Sequence, residues 1–340
     1  MHSHQSATLA AALALGVLFF APAAARGQGA YPEKADARGQ TYPEKTVRII
    51  VPFPAGGATD ILGRLIAERL SSAWGKPVVV ENVSGAAGAT GTAAVAKAAP
   101  DGYTLLTAVA TTMTLLPHLR SDLPYEPLRD FSAVTLTASF PNLLVVRPAV
   151  PAHDVRQLIE VLRADPGKYS YASSGYGASP HLSAEWFKHL TRTEVLHVPF
   201  TGSAPALPAL LGGHVDMMFD TLPSVLPLAQ EGKLRALGVT TAKRVPFLPD
   251  VPAIAETLPD YDVTSWLGIV VPVGTPPAIQ ARIAAPLAEF IREPAVVQRF
   301  KDLGAVAAAP NTPEDFAAWI RKDYDKWARV VRETGIKLGN

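Results

Sequence analysis

Four short segments rich in glycine, serine and threonine are the parts of this sequence best suited to hold a ligand. They are residues 54–60 (loop 1), 84–91 (loop 2), 173–179 (loop 3) and 199–205 (loop 4). Each follows an apolar run with strand character and precedes a helical pattern. Glycine lets the backbone approach a ligand closely, and the free N–H groups of the following helix favour negative charge. The spacing therefore predicts four small anion sites.

None of the four loops contains Lys or Arg, so an anion would be held by backbone N–H and hydroxyl groups. Such donors suit a compact carboxylate better than a pyrophosphate, whose larger charge usually draws a cation. Each loop also has a purely structural interpretation, because glycine-rich turns connect strands to helices in any doubly wound fold. Thr59 and Asp60 have a second interpretation as caps of the following helix.

Motifs for catalysis and for nucleotide binding are absent. The glycines of loop 2 are not spaced as G-x-G-x-x-G, there is no G-x-x-x-x-G-K-[ST], and neither H-E-x-x-H nor a nucleophile-elbow pattern occurs. A hydrolase using Ser173 or Ser174 would need a base within about 3 Å of the hydroxyl. His181 and His197 are the candidate bases, but no sequence motif supports a catalytic role for either. We therefore expect no enzyme activity, no metal and no cofactor.

Strand-like and helical segments alternate through most of the chain. Strands are predicted at 47–53, 77–81, 104–109, 131–138, 143–146, 169–173, 195–200, 215–219, 234–240 and 267–273. Helices are predicted at 61–74, 90–99, 155–164, 180–190, 203–211, 277–291, 295–303 and 313–334. The alternation indicates an α/β fold whose sheets are mostly parallel and covered on both faces.

Individual residues refine this pattern. Asp154 and Thr312 are predicted helix N-caps. The last helix is predicted to bury one stripe, which consists of Phe316, Trp319, Ile320, Tyr324, Trp327 and Val331. Asp220 follows the strand at 215–219 on the side expected to face a ligand, because ligands bind at the carboxyl ends of parallel strands. Asp216, at the other end, is predicted to be a turn residue.

Length and charge set the general class. The 340 residues suffice for two domains, and 31 Lys plus Arg against 30 Asp plus Glu give a net charge of +1. This balance gives no electrostatic indication of a nucleic-acid partner. The chain has no cysteine, which excludes disulfides and the usual thiol for a lipid anchor.

The N-terminus has the pattern of a signal peptide. Residues 9–21 are largely apolar and too few to cross a bilayer, and Ala23, Ala24 and Ala25 offer a cleavage site after Ala25. Residues 26–44 are predicted to be a flexible segment in which Tyr-Pro-Glu-Lys occurs twice. We expect a soluble periplasmic protein without a lipid anchor, and a monomer.

The sequence resembles the Bug family, the periplasmic solute receptors of tripartite tricarboxylate transporter systems. The similarity extends from about Tyr42 to the C-terminus and rests on the order of several strings. These are Ile50-Val51-Pro52-Phe53-Pro54-Ala55-Gly56-Gly57, Val80-Glu81-Asn82, Ala98-Ala99-Pro100-Asp101-Gly102-Tyr103-Thr104-Leu105-Leu106, Leu123-Pro124-Tyr125, Tyr171-Ala172-Ser173-Ser174-Gly175, His197-Val198-Pro199-Phe200, Gly232-Lys233-Leu234-Arg235 and Gly274-Thr275-Pro276. Loop 2 departs from the family pattern, with Ser84 where relatives usually have proline and no glycine pair after it.

The resemblance implies a two-domain Venus-flytrap fold of the type II-like periplasmic binding proteins. The chain would cross the hinge near 139–144 and 262–267, which gives domain 1 as 45–141 with 265–340 and domain 2 as 142–264. The residues expected to bind ligand, by this resemblance and by their place on the loops and strand ends, are Phe53, Gly57, Ala58, Thr59, Asp60, Ala86, Ala87, Gly88, Ser173, Ser174, Gly175, Ser179, Thr201, Gly202, Ser203, Ala204 and Asp220.

The implied function is capture of a small carboxylate and its delivery to the membrane subunits of a tripartite tricarboxylate transporter. A dicarboxylate, a tricarboxylate, an acidic amino acid and an aromatic acid all remain open as ligands. An alternative from another class is a signalling receptor that presents its ligand to a sensor kinase.

Overall fold

The computed structural model describes residues 42–336. The predicted signal peptide, and the part of the 26–44 segment that precedes Tyr42, lie outside the described residues. No helix within 42–336 is both long enough and apolar enough to span a bilayer.

A six-stranded mixed sheet forms the first half of the fold. Its strands are β1 (Val47–Val51), β2 (Val78–Asn82), β3 (Thr104–Val109), β4 (Phe131–Phe140), β10 (Ser265–Pro272) and β11 (Val306–Ala307). They are ordered β11-β4-β10-β3-β1-β2. β1 pairs in parallel with β2 and β3, whereas β10 runs antiparallel between β3 and β4. We call the part of the molecule built on this sheet lobe 1.

A five-stranded mixed sheet forms the second half, which we call lobe 2. Its strands are β5 (Asn142–Val146), β6 (Ser170–Ser173), β7 (Leu196–Pro199), β8 (Met217–Thr221) and β9 (Arg235–Val239), in the order β7-β6-β8-β5-β9. β6 pairs in parallel with β7 and β8, and β5 is antiparallel to both β8 and β9. The predicted α/β class is confirmed, but each sheet is mixed because the strand that enters after a lobe crossing runs against its neighbours.

Helices cover both sheets. They are α1 (Ala58–Trp74), α2 (Ala89–Ala96), α3 (Leu116–Leu119), α4 (Pro127–Asp130), α5 (Val155–Ala164), α6 (Ser179–Thr191), α7 (Ser203–Leu211), α8 (Leu222–Gln230), α9 (Pro277–Phe290), α10 (Pro294–Asp302) and α11 (Pro313–Thr334). The predicted caps are confirmed: Asp154 accepts from the N–H of Gln157, and Thr312 forms a reciprocal capping box with Asp315.

α11 packs on both lobes. Phe316 and Ile320, near its start, belong to an apolar cluster of lobe 1 that includes Trp266 of β10. Trp327 and Val330, two turns later, belong to the main core of lobe 2. Between them Asp323 is buried and accepts from the indole of Trp266 and the hydroxyl of Thr114. One helix therefore contributes to two cores.

Two sequence predictions about these elements are wrong in detail. Trp319, expected in the buried stripe of α11, is 37% exposed. The buried residues are Phe316, Ile320, Asp323, Trp327 and Val330, and the predicted Tyr324 and Val331 are half-buried, so the stripe is too narrow to include Trp319. In addition, β8 starts and ends two residues later than predicted, which places Asp220 inside the strand.

Candidate ligand-binding site

The four loops lie at the edges of the two sheets that are next to the chain crossings. The chain passes from β4 of lobe 1 to β5 of lobe 2 at Pro141 and returns between β9 and β10. In lobe 1 the carboxyl end of β3 lies beside the start of β10, with Val109 opposite Leu267. In lobe 2 the carboxyl end of β8 lies beside the start of β5, with Thr221 opposite Asn142. All four loops therefore leave strands at the edge next to the crossings, on the two sides of a cleft.

Loop 1 is built around the buried side chain of Asp60. Its carboxylate accepts hydrogen bonds from the Gly56 N–H (2.9 Å), from Asn82 Nδ2 (2.9 Å) and from Arg64 (3.1 Å). Burial alone would raise the pKa of Asp60, but these hydrogen bonds and the charge of Arg64 outweigh it and lower the pKa. Both carboxylate oxygens are thus engaged inside lobe 1, and the exposed Gly57 and Ala58 begin α1 beside them.

Loop 2 contains the non-glycine residues of lobe 1 that have positive φ angles. Ala86 and Ala87 have φ angles of 48° and 55°, and the following Gly88 has φ of 93°. A left-handed backbone costs an alanine roughly 1 kcal/mol or more. Gly88 is buried against neighbours so close that a Cβ there would lie 2.7 Å from Thr112 and 3.1 Å from Phe53. Phe53, the residue before loop 1, therefore packs against loop 2.

Loop 3 is folded by a serine and a histidine. The buried Ser173 lies 2.7 Å from His197 Nε2 through its Oγ, which also accepts from the Gly175 N–H at 3.2 Å. The Gly177 N–H is 3.2 Å from His181 Nδ1. At the start of α6, Ser179 accepts from Asn142 Nδ2 at 2.7 Å. Ser174, between these anchored residues, is half-buried.

Two histidines beside loop 3, His181 of α6 and His197 of β7, are held in an aromatic stack. The His197 ring lies on that of Tyr171 (4.6 Å, 11°) and close to those of His181 (4.6 Å) and Tyr176 (4.9 Å). Burial, and then repulsion by His181, lower the pKa of His197 to about 4. Burial also lowers the pKa of His181. Both lowered pKa values favour the neutral imidazole near pH 7, so this stack adds no positive charge beside loop 3.

Loop 4 lies beside loop 3, because the Phe200 N–H donates to the Ser173 carbonyl at 3.0 Å. Its Gly202 has φ of 134° and precedes α7, with Thr201 and Ala204 exposed. Ser203 donates to Asp220 Oδ1 at 2.8 Å. Burial raises the pKa of Asp220 despite its two hydrogen bonds. Loops 3 and 4 thus form one continuous surface in lobe 2.

A small cavity lies between the lobes at the base of the cleft. Its volume is about 20 Å³, which is enough for one water molecule. It is lined by Ala110, Thr111, Leu115, Ser179, Leu182, Val263, Thr264, Ser265 and Trp327. The indole nitrogen of Trp327 is buried without a hydrogen-bond partner among the described residues. Larger concavities, of about 640 and 620 Å³, lie away from the loops, beside α1 and β2 and beside α4.

Sequence reasoning missed three residues of this region. Asn142 bridges the first crossing to Ser179, Asn82 bridges loop 1 to β2, and Trp327 reaches the cleft from α11. Asn82 belongs to a string that carries the family resemblance, so it could have been singled out. Asn142 and Trp327 lack any local signal, because only tertiary packing brings them to the cleft.

The geometry also bears on the hydrolase alternative. Ser173 does have a histidine within hydrogen-bond distance. However, its side chain is fully buried, and among residues 42–336 no carboxylate is hydrogen-bonded to His197. The pair lacks the third group that orients the base in a catalytic triad. A loop-folding role accounts for every contact of Ser173.

Comparison with known proteins decides the family. A sequence model described as "Tripartite tricarboxylate transporter family receptor" matches residues 62–336. The chain belongs to this family. It is also similar to Protein BugT of Bordetella pertussis, with 36% identity over 91% of this chain and 94% of BugT. The resemblance to the Bug receptors is therefore confirmed, and this receptor is a solute-binding protein of the periplasmic class.

Two solved structures add ligands to the comparison. R. palustris Rpa4515 with adipate is 36% identical and superposes with a TM-score of 0.72, covering 88% of this chain and 100% of Rpa4515. MatC (Rpa3494) from Rhodopseudomonas palustris with bound malate is 34% identical, with a TM-score of 0.68, covering 85% of this chain and 100% of MatC. These similarities confirm the two-domain Venus-flytrap fold, and the family is one of solute-binding receptors.

Proposed function

We propose that this receptor captures a small carboxylate between its lobes and delivers it to the membrane subunits of a tripartite tricarboxylate transporter. The observation that carries the proposal is the chemistry of the four loops. They present N–H and hydroxyl donors from both lobes, and the nearby Arg64 is already paired with Asp60. Adipate and malate, bound by two relatives, are anions of this kind.

The ligand contacts that we propose are the residues predicted from the loops. Phe53, Gly57, Ala58 and Thr59, with Ala86, Ala87 and Gly88, would act from lobe 1. Ser174, Gly175, Ser179, Thr201, Gly202, Ser203, Ala204 and Asp220 would act from lobe 2. Asp60 and Ser173 would act by holding loops 1 and 3 in place, because their polar atoms are engaged within their own lobes. No catalytic role is assigned.

Closure would move two bodies with the predicted limits, 45–141 with 265–340 and 142–264. A ligand favours closure only through contacts that are stronger in the closed state. The donors of loops 1 and 2 lie in one lobe and those of loops 3 and 4 in the other, so an anion touching both would stabilise the closed form.

A thermal-shift comparison tests the capture. Adipate, malate, citrate, glutamate and benzoate would each be paired with the corresponding neutral amide. A ligand at about 100 times its Kd adds roughly 2.7 kcal/mol to the free energy of unfolding, which should raise Tm by several degrees. A shift with an acid but not with its amide supports carboxylate capture. Equal shifts with acid and amide, or none with any acid, would contradict it.

Ser174→Trp locates the site. The indole would fill the space beside Gly175 on loop 3, so we expect the acid-dependent shift to disappear while the Tm without ligand stays within a few degrees of wild type. Ser121→Trp, at an exposed turn outside the loops, is the control that should bind normally. Normal binding by Ser174→Trp would remove loop 3 from the site.

Delivery is a separate step with its own test. The acid-loaded receptor should bind the membrane subunits of a tripartite tricarboxylate transporter, and the Ser174→Trp variant should bind them no better with the acid than without it. Acid-dependent binding to a sensor kinase instead would favour the signalling alternative.

A further inference from the structure

The two carboxyl oxygens of Asp220 differ in their hydrogen bonds. Its side chain has no exposed surface. Oδ1 accepts from Ser203 Oγ at 2.8 Å and from the Thr221 N–H at 2.7 Å, whereas the buried Oδ2 has no partner among the described residues. A buried oxygen that carries half a negative charge without a donor is costly. Protonation of Oδ2 lowers that cost because it removes the charge, and it leaves an O–H donor at Oδ2 while Oδ1 can still accept two hydrogen bonds.

The surroundings of Asp220 favour the neutral form. Burial raises its pKa, and the two hydrogen bonds to Oδ1 lower it by less. Within residues 42–336 no charged side chain adds to these effects. On the same face of β8, Met218 packs among buried apolar residues of the neighbouring elements, including Leu143 of β5, Ala206 of α7 and Val225 of α8. The elements around Asp220 thus bring hydrocarbon rather than charge.

The position of Asp220 is next to the cleft. It lies opposite Leu143 in the β5–β8 pairing, one residue from the pair of Thr221 and Asn142 where the chain enters lobe 2. Its partner Ser203 begins α7 directly after the glycine of loop 4. The carboxyl group of Asp220 therefore lies at the base of loop 4, and because it has no exposed surface, a ligand would reach Oδ2 after a movement of loop 4.

We propose that Asp220 is a neutral acid that donates its Oδ2 hydrogen to the carboxylate of the captured ligand. The inference rests on the proposed function and deepens it, because it names the side chain of lobe 2 that donates a hydrogen bond to the ligand carboxylate. A donor at this point selects a ligand that presents an oxygen acceptor there and disfavours one that presents an ammonium group. It also explains how an acidic residue can belong to an anion site that has no free cation in its loops.

Two substitutions separate a donor from an acceptor. Asp220→Asn keeps the acceptor at Oδ1 and places an N–H donor at Oδ2, whereas Asp220→Ala removes both. By calorimetry with adipate and malate we expect Asn to bind within about threefold of wild type. We expect Ala to bind roughly 10- to 100-fold more weakly, the effect of losing a hydrogen bond to a charged group. Asp216→Asn, which alters an aspartate paired with Arg147 just before β8, should leave both affinities unchanged.

A spectroscopic readout does not depend on Asp220→Ala folding. The infrared difference between wild type and Asp220→Asn at neutral pH should contain the carbonyl band of a protonated carboxylic acid. Its absence would overturn the proposal, and so would an Asn variant as weak as Ala or an Ala variant as tight as wild type. If wild type binds no acid of the panel, the proposed function fails as well, whereas loss of binding in Asp220→Asn alone rejects only the role of Asp220.

Discussion

Asp60 and Asp220 are both buried aspartates at the cleft, one in each lobe, and their surroundings affect them in opposite ways. Asp60 receives donors on both oxygens, including the guanidinium of Arg64, and its pKa is lowered. Asp220 receives donors on Oδ1 alone, and burial raises its pKa. The number and charge of the donors, together with the depth at which each side chain is buried, therefore set the direction of the pKa shift.

This difference separates the two sides of the cleft. In lobe 1 the carboxylate of Asp60 joins loop 1 to the end of β2, and its charge is balanced by Arg64. In lobe 2 burial favours the uncharged form of Asp220 and of the two histidines beside loop 3, His181 and His197. An incoming carboxylate would thus meet one side that is internally neutralised and another that is neutral from the outset, so it would not be repelled.

The largest expected effect is on stability. Asp60→Ala leaves the Gly56 N–H, Asn82 and Arg64 without their shared acceptor, so we expect the free energy of unfolding to fall by about 3 kcal/mol. Asp220→Asn keeps both hydrogen bonds at Oδ1 and should change it by less than about 1 kcal/mol. Urea unfolding of the two variants measures this. Equal losses of the free energy of unfolding in the two variants would contradict the contrast drawn between Asp60 and Asp220.

The pH dependence of stability should also have opposite signs for the two residues. The lowered pKa of Asp60 gives stability that is present above the unfolded pKa, about 3.9, and lost as pH falls through the folded pKa. The raised pKa of Asp220 gives stability that is present below that value and lost as pH rises through the folded pKa. Each slope is at most about 1.4 kcal/mol per pH unit.

Chemical unfolding across a pH series checks these signs. Asp220→Asn should remove a decline in the free energy of unfolding that occurs as pH rises above about 4. Asp60→Asn should remove a decline that occurs as pH falls below about 4. A decline unchanged in Asp220→Asn would mean that Asp220 is ionised in the folded protein.

The smallest expected effect concerns backbone strain. In loop 2 the left-handed positions include Ala86 and Ala87, whereas in loops 3 and 4 they are all glycines. Ala87→Gly should therefore stabilise the protein by about 0.5 kcal/mol, after the entropy that glycine adds to the unfolded chain. Ala178→Gly, at an ordinary φ of −69° in loop 3, should destabilise it by a similar amount. Thermal unfolding of both variants tests the contrast.

Much of the fold could be predicted because its determinants are local. The bounds of α5, α7 and α11 and of β3 agree with the sequence patterns, since caps, glycines and amphipathic spacing act within a few residues. Individual burial was harder. Trp319 lies beside Ile320 in sequence, but the narrow contact of α11 with lobe 1 leaves it on the flank.

The candidate site divides in the same way. The four loops could be found from the sequence because glycine and hydroxyl residues cluster where strands end. The hydrogen-bond partners and pKa shift of each polar group could not be predicted from the sequence, because they depend on residues that are distant along the chain. Ser173 is hydrogen-bonded to His197 on the neighbouring strand β7, and Asp220 to Ser203 at the start of α7. Such pairings arise only when the sheet has formed.

The packing of α11 has a consequence for the order in which the chain can fold. The strands of lobe 2 end at Val239, but its core also contains Trp327 and Val330, close to the end of the chain. Domains generally fold as units during synthesis, starting from the N-terminus. Lobe 2 cannot complete its core in that way, because part of it is made last. We expect lobe 2 of the nascent chain to remain incompletely folded until α11 has been synthesised.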